Sequence, residues 1–348
     1  MFKKIFIGVL IMIILLISAS CQDSDVIDET QENQKIKIGF SMDTLKEERW
    51  QKDRDIFVAE AEKLGAEVLV LAANGDDQKQ IDHAQYLLDE GADILVIVPH
   101  DAEIASKIVE MAHAQDVKVI SYDRLVYGDV DYYISFDNEK VGEIQSNYLI
   151  NTLDFESGNV VYIGGAPTDN NASLLRKGAL SVLSSKRDIN VIYDEYTKDW
   201  EPKEAAKHME NVIDQYEDDF GAVICANDTL AKAVIAILAE NQIQAYIIGQ
   251  DAEISAAQRI VEGKQDMTVY KDIRSLATKA AEMSVDVVNG KTIETSKLVK
   301  NDVKNVPSIL LEPVAVDATN MMALIINSGF HKYEDVYRNI PVDERPEN

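Results

Sequence analysis

The sequence is poor in the residues that build covalent staples, metal centres and reactive nucleophiles. It holds only two cysteines, Cys21 and Cys225. That number rules out a disulfide framework and any metal site built from cysteine. Cys225 ends the apolar run Ala222-Val223-Ile224-Cys225 and reads as a small hydrophobe in a strand. The histidines His83, His100, His113, His208 and His331 are scattered, and none stands in an HxxxH or HExxH arrangement, so no zinc motif is present. GxSxG, Walker and GxGxxG signatures are also missing, which leaves no hydrolase elbow, P-loop or dinucleotide turn. Positive charge is scarce, with 34 Lys and Arg against 61 Asp and Glu and a net charge of −27. A field of that sign repels a polyanion and argues against nucleic-acid binding. Among so many carboxylates, acid pairs carry no information. Nothing points to bond making, a metal or a cofactor, and the expectation is a protein that is not an enzyme.

What is present begins with an export signal. Lys3 and Lys4 precede an apolar run from Ile5 to Ile17, then Ser18-Ala19-Ser20, then Cys21. A basic start, a short apolar stretch and small residues before a cleavage point make a secretory signal over residues 1–20. The cysteine after the small residues resembles a bacterial lipobox, with Ser18 where leucine is usual. It implies acylation of Cys21 and a body anchored outside the cytoplasmic membrane. The alternative is an uncleaved N-terminal anchor, although the run is short for a membrane span. Residues 21–34 are polar, acidic and without periodicity, and read as a tether.

From Lys35 onward, strand-like runs alternate with helical patterns. The strand candidates are 36–40, 67–71, 94–98, 117–122 and 132–136, then 159–164, 190–196, 222–226, 245–249 and 267–270. Such alternation predicts βαβ units and mainly parallel sheets. Ten strands in one sheet would be exceptional, so two sheets of five or six are expected. At 348 residues the chain is long enough for two domains. The stretch Lys118 to Glu143 organises them: two strands, each with a polar end, then a helical pattern, with the chain leaving one domain near Phe136 to Asn138. The expected lobes are 35–136 with 271–306, and 137–270 with 307–340. A helix over Leu45 to Leu64 is capped by Asp43 or Thr44 and closed by Gly65; another runs from Asp82 to Glu90.

In open α/β sheets, ligands bind beyond the carboxyl ends of the strands. Those ends carry Asp43, then Arg49 and Trp50 one helical turn on, Asp123 and Arg124, Asp169 to Asn171, Trp200, Asn227 and Asp228, Gln250 and Asp251, and Lys271. The set suits a sugar. Each hydroxyl donates and accepts, so carboxylates, amides and cations must alternate around it. Bonds to charged groups contribute about 1.5–3 kcal/mol each, and tryptophan stacks on the apolar C–H face of a pyranose. Each residue also has a plainer reading. Asp169, Asn227 and Asp228 stand where helix caps stand. Trp50 lies on the apolar stripe of its helix and fits a core position. Trp200 precedes Pro202, a favoured first residue of a helix. Arg49 lies in a charged run.

With these residues in view, the chain resembles the type 1 periplasmic sugar-binding family, and within it the D-xylose-binding group of ABC importers. The likeness rests on ERWQKDRDIF (48–57), ANG (73–75), LVIVP (95–99), YDR (122–124), YISFDNEKVGE (133–143), DNNA (169–172), AND (226–228), GQDA (249–252), MTVYK (267–271), VPS (306–308) and GFHK (329–332). It spans about residues 36 to 335. The resemblance implies two Rossmann-like domains joined by three crossovers and closing on one monosaccharide. It implies sugar contacts from Arg49, Trp50, Asp123, Arg124, Asp169, Asn171, Trp200, Asn227, Asp251 and Lys271. It also implies a membrane partner for the closed form: an ABC permease, or alternatively a sensor histidine kinase. The lipobox-like signal suggests a Gram-positive lipoprotein form.

Overall fold

The computed structural model describes residues 35–347. The signal segment, Cys21 and the acidic tether lie outside the described residues.

Two sheets carry the chain. The first collects β1 (Lys37–Met42), β2 (Glu67–Ala72), β3 (Ile94–Ile97), β4 (Lys118–Tyr122) and β5 (Tyr132–Phe136), and later β11 (Lys297–Lys300) and β12 (Asn305–Leu311). Its order is β11-β12-β5-β4-β3-β1-β2, parallel except where β11 meets β12. The second holds β6 (Gly158–Gly164), β7 (Ile189–Tyr196), β8 (Ala222–Cys225), β9 (Tyr246–Gln250), β10 (Met267–Tyr270) and β13 (Val314–Val316). Its order is β13-β10-β9-β8-β6-β7, parallel except at β13. The expected pair of mostly parallel sheets is therefore present, with seven and six strands. The first sheet is larger than expected because β11, KLVK, is a four-residue edge strand that is nearly all exposed.

The chain changes sheet three times: after β5, after β10 and after β12. The last change falls later than the sequence suggested. The boundary drawn at 306/307 lies inside β12, which stays in the first sheet to Leu311. The apolar stretch ILLEPVAV, which the sequence marks as a further crossing between the domains, carries this change of sheet: Pro313 divides it, and a proline cannot donate to a ladder. The two halves pair in different sheets.

Helices cover both faces, as near-continuous apolar strands require. Helix Glu48–Lys63 buries Trp50, Phe57 and Ala61 against Phe40 and Tyr122. Phe40 and Phe57 meet at 4.6 Å between ring centroids, and Tyr122 stands edge-on to Phe40 at 5.7 Å. Burying each such ring contributes about 1.5–3 kcal/mol. Helix Ile273–Val288 follows β10 of the second sheet but packs Leu276, Ala277 and Ala280 into this first-sheet core. It thereby ties the second crossing to the first lobe.

Helix starts depart from expectation where function intervenes. Glu47 occupies the cap position of helix 48–63 without a side-chain cap bond. Asp43 is drawn away by Arg124 and His100, and the Thr44 hydroxyl accepts from the Lys46 amide. Gly65 ends the helix with φ +86°, as expected. The helix expected from Asp82 starts earlier, at Asp77, because Asp76 accepts from the Lys79 amide at 2.9 Å.

Candidate functional site

In each sheet the strand order reverses next to the first strand, at β2-β1-β3 and at β7-β6-β8. The carboxyl ends of both sheets meet around one narrow cleft. Arg49, Trp50, Asp123, Arg124, Asp169, Asn171, Trp200, Asn227, Asp251 and Lys271 all line it. Glu47 and Gln250 line it too. Gln250 follows β9 as the others follow their strands, and position alone could have added it to the set. Glu47 sits in the charged run KEER, where no local pattern separates it from its neighbours.

Two arginines organise the polar groups. Arg49 Nη2 lies 2.7 Å from Asp123 Oδ2, Nε lies 3.4 Å from Asp53, and Nη1 lies 3.5 Å from Asp251. Lys271 Nζ reaches the same Asp251 oxygen at 2.9 Å. Arg124 Nη1 meets Asp43 at 2.7 Å and its Nε meets Asp169 at 2.8 Å. Asn171 donates to Asp123 Oδ1 at 3.0 Å and accepts from Asn138 at 2.9 Å. Arg49, Asp123 and Arg124 come from the first sheet; Asp169, Asn171 and Asp251 come from the second. Charges this buried persist only when paired and hydrogen-bonded.

The ionisation pattern follows. Burial pushes the Asp123 carboxyl up, but Arg49 and Lys271 outweigh it and hold Asp123 below the usual carboxylate range. At Asp169 burial wins over Arg124, and the carboxyl sits above its ordinary value. Asp53, fully buried beneath Arg49, is pushed up by burial to about 6 although Arg49 and the Tyr122 hydroxyl oppose the shift. Tyr122 donates to Asp53, so Arg49 rests on a Tyr122–Asp53 base that never reaches the cavity.

Several plain readings hold together with the site reading. Asp169 caps helix Asn170–Leu183 through the Asn171 amide while pairing with Arg124. Asn227 caps helix Asp228–Glu240 through the Leu230 amide and lines the cavity. Trp50 is 4 % exposed and belongs to the core, yet its ring lies 4.2 Å from the Arg49 guanidinium carbon and 5.2 Å from that of Arg124. Pro202 opens helix Pro202–Tyr216, and Trp200 still reaches the cavity. Trp200 enters through a turn with Asp199 at φ 52° and Trp200 at φ 56°. Its ring needs a glycine opposite: a Cβ at Gly165 would stand 2.2 Å from the indole.

The sequence did not reveal what holds the turn after β9. Asp251 has φ 92° and Ala252 φ 49°, strained values for side-chain-bearing residues. Asp228 lies outside the cavity and is fully buried. It accepts from Gln265 at 2.8 Å, from the Thr268 hydroxyl at 2.8 Å and from the Glu253 amide at 3.1 Å. Thr268 accepts from the Ala252 amide at 3.1 Å, and the His331 ring lies 2.7 Å from the Ala252 carbonyl. These residues aim Gln250 and Asp251.

Three polar atoms of lining residues are buried without a partner among the described residues: Glu47 Oε2, Trp200 Nε1 and Gln250 Oε1. Such groups cost about 1–3 kcal/mol each until a ligand satisfies them. They supply two acceptors and one donor, as hydroxyls require. Among the described residues no His, Cys, Asp and Glu cluster could hold a metal, and no helix is long and apolar enough to cross a membrane.

Two Rossmann-like lobes with three crossings and a polar, tryptophan-walled cleft define an extracytoplasmic solute receptor, and residues 38–292 match the family described as "Periplasmic binding protein domain". The chain belongs to that family, among its sugar-binding members; it is a binding protein and not an enzyme. It is 42 % identical to the D-xylose-binding periplasmic protein of Haemophilus influenzae, covering 90 % of this chain and 95 % of that one. It is 41 % identical to the D-xylose-binding periplasmic protein of Escherichia coli, covering 87 % and 93 %. A solved ABC transporter solute binding protein from Clostridium phytofermentans with bound β-D-glucose superposes with a TM-score of 0.81 at 30 % identity, covering 86 % of this chain and 99 % of that one.

Proposed function

We propose that the protein captures D-xylose between its two lobes and delivers it to an ABC permease. One observation carries the reading: ten polar and aromatic side chains from the strand ends of both sheets line one cleft. The similarity to D-xylose-binding proteins at 41–42 % identity supports xylose as the sugar. Asp123, Asp169 and Asp251 accept from sugar hydroxyls, Arg49, Arg124, Asn171, Asn227 and Lys271 donate to them, and Trp50 and Trp200 flank the ring. Glu47 and Gln250 join the acceptors.

A sugar held by both lobes favours the closed arrangement by its differential affinity for it. The hinges are the three crossings. Micromolar capture needs about 8.2 kcal/mol, within reach of several charge-assisted bonds and a ring stack after ordering costs. The closed form docks on the permease. No feature of the cavity favours a histidine kinase over the permease. Acylation at Cys21 holds the receptor on the outer face of the cytoplasmic membrane, with residues 22–34 as the tether; Cys21→Ser releases it into the medium.

Calorimetry with D-xylose, D-ribose, L-arabinose and D-glucose tests the reading. Xylose is expected to bind tightest. A tighter partner among the other three, or no heat from any, overturns the assignment.

A further inference from the structure

We propose that His100 and Lys46 of the first lobe clasp the turn 199–201 of the second lobe, so that closure of the lobes on the sugar takes up a proton. This rests on the sugar-binding reading. Trp200 at the middle of the turn lines the sugar cleft, whereas His100, Lys46, Asp199 and Glu201 do not.

Both sides of the clasp are anchored to their own lobes. In the second lobe, the buried Thr197 donates to the Gly164 carbonyl through its hydroxyl at 2.9 Å and through its amide at 3.1 Å. The chain then turns through Asp199 at φ 52° and Trp200 at φ 56°. Two successive side-chain-bearing residues in that region persist only where their surroundings hold them. In the first lobe, His100 follows β3. Its amide donates to the Gln80 side-chain oxygen at 3.0 Å, and the Gln80 amide group donates to the Val98 carbonyl at 2.7 Å.

The turn meets the first lobe on each side of Trp200. Lys46 Nζ lies 3.1 Å from Glu201 Oε1. His100 Nε2 lies 4.0 Å from Asp199 Oδ1, and its Nδ1 lies 3.1 Å from Asp43 Oδ1. Lysine is charged throughout the neutral range, so the first pair is permanent. The second attracts only when the imidazole carries its second proton.

The charged groups facing His100 come from several elements. Asp43 follows β1, Asp77 opens helix Asp77–Asp89, Arg124 follows β4 and Asp199 reaches over from the second lobe. Lys46 and Glu47 line the same recess. The hydrogen bond with Asp43 raises His100 above its ordinary 6.5 in spite of burial, and Arg124 opposes the rise. Of these groups Asp199 alone belongs to the second lobe. Parting the lobes removes Asp199 and leaves the others in place, so His100 holds its proton more tightly in the closed form. Affinity is therefore greatest at acid pH and declines as pH climbs through the raised value.

The test is a double-mutant cycle on D-xylose affinity, read by calorimetry. It uses the wild type, His100→Gln, Asp199→Asn and the double variant, at about pH 6 and about pH 9. The two positions are expected to be coupled by about threefold at the acid end and uncoupled at the alkaline end. Asp53 and Glu253 titrate in all four proteins and cancel in the cycle. A second cycle with Lys46→Met and Glu201→Gln is expected to show coupling at both pH values and to lose it in about 1 M salt. His100→Asn repeats the first cycle should His100→Gln fold poorly. Coupling in neither pair, or His100–Asp199 coupling that is equal at both pH values, overturns the clasp and leaves the sugar reading standing. No xylose binding by the folded wild type removes the sugar reading and this proposal with it.

Discussion

Arg49 and Asp251 stand 202 positions apart in the chain and 3.5 Å apart in space. Arg49 comes from the helix after β1 and Asp251 from the turn after β9, so the contact spans the two sheets. Lys271 shares the same Asp251 oxygen, leaving one carboxylate between two cations. Asp251→Ala removes the acceptor and leaves both cations facing the sugar. Xylose affinity is expected to fall at least about tenfold, or about 1.4 kcal/mol, with the far-ultraviolet circular dichroism unchanged. Arg124→Ala should cost at least as much affinity, because Asp43 and Asp169 lose their shared cation. Wild-type calorimetric affinity in both variants would take the two residues out of the site.

Gly165 offers a test of the tryptophan wall that leaves every polar contact in place. Its missing side chain is the space into which the Trp200 indole fits. Gly165→Val drives the indole off the cavity wall. Xylose binding should weaken by roughly tenfold, with a change in tryptophan fluorescence. An affinity equal to wild type would show that Trp200 does not flank the sugar.

Much of this was legible because the fold puts ligands at strand ends. β4, β6, β8 and β9 are apolar runs that stop at polar residues, so the sequence alone marks Asp123, Asp169, Asn227 and Asp251. Convergence of such positions is a property of the parallel-sheet topology, and local sequence needs only to mark where each strand stops. Glu47 escaped because its role depends on where the helix begins, and that depends on Asp43 being captured by Arg124 from the end of β4 in the same sheet. The Asp228 network escaped for a similar reason. Asp228 follows a strand and could serve as a cap, yet its partners Gln265 and Thr268 lie on the far side of β9. β11 escaped because an exposed edge strand has no core-facing alternation.

Asp228 can be tested apart from the sugar. Its carboxyl, held above the usual range by burial and by the Glu253 charge, accepts from Gln265, Thr268 and the Glu253 amide, all beneath the strained turn. Asp228→Ala strands these donors and should lower stability by roughly 3 kcal/mol, read from urea unfolding. The turn loses its support, so xylose affinity should fall as well although Asp228 never lines the cavity. Asp228→Asn keeps a carbonyl acceptor and should recover part of both. Full affinity in a destabilised Asp228→Ala would separate the network from the site.

Glu253 makes stability depend on pH in a direction that can be fixed beforehand. Burial is the main cause that pushes its carboxyl from 4.5 up to about 7, and the charge of Asp251 adds to it, while the Thr229 hydroxyl and Arg259 pull the other way. The folded chain therefore keeps a proton that the unfolded chain has lost. For such a group the stabilisation is complete below the unfolded value of 4.5 and is lost as pH rises towards the folded value of about 7. His100 acts with the same sign at higher pH. Its hydrogen bond with Asp43 raises it above 6.5 despite opposing burial, so its contribution is lost as pH climbs through the raised value. Glu253→Gln carries no charge at any pH and leaves His100 in place; it also removes a charge that helps hold the buried Asp228 carboxyl up, so the difference between variant and wild type reports the Glu253–Asp228 pair. Urea unfolding from about pH 5 to about pH 8 should show the variant gaining on the wild type as pH rises, then holding a constant advantage above about 7. Parallel stability curves across that range would mean that the Glu253–Asp228 pair holds no extra proton in the folded protein.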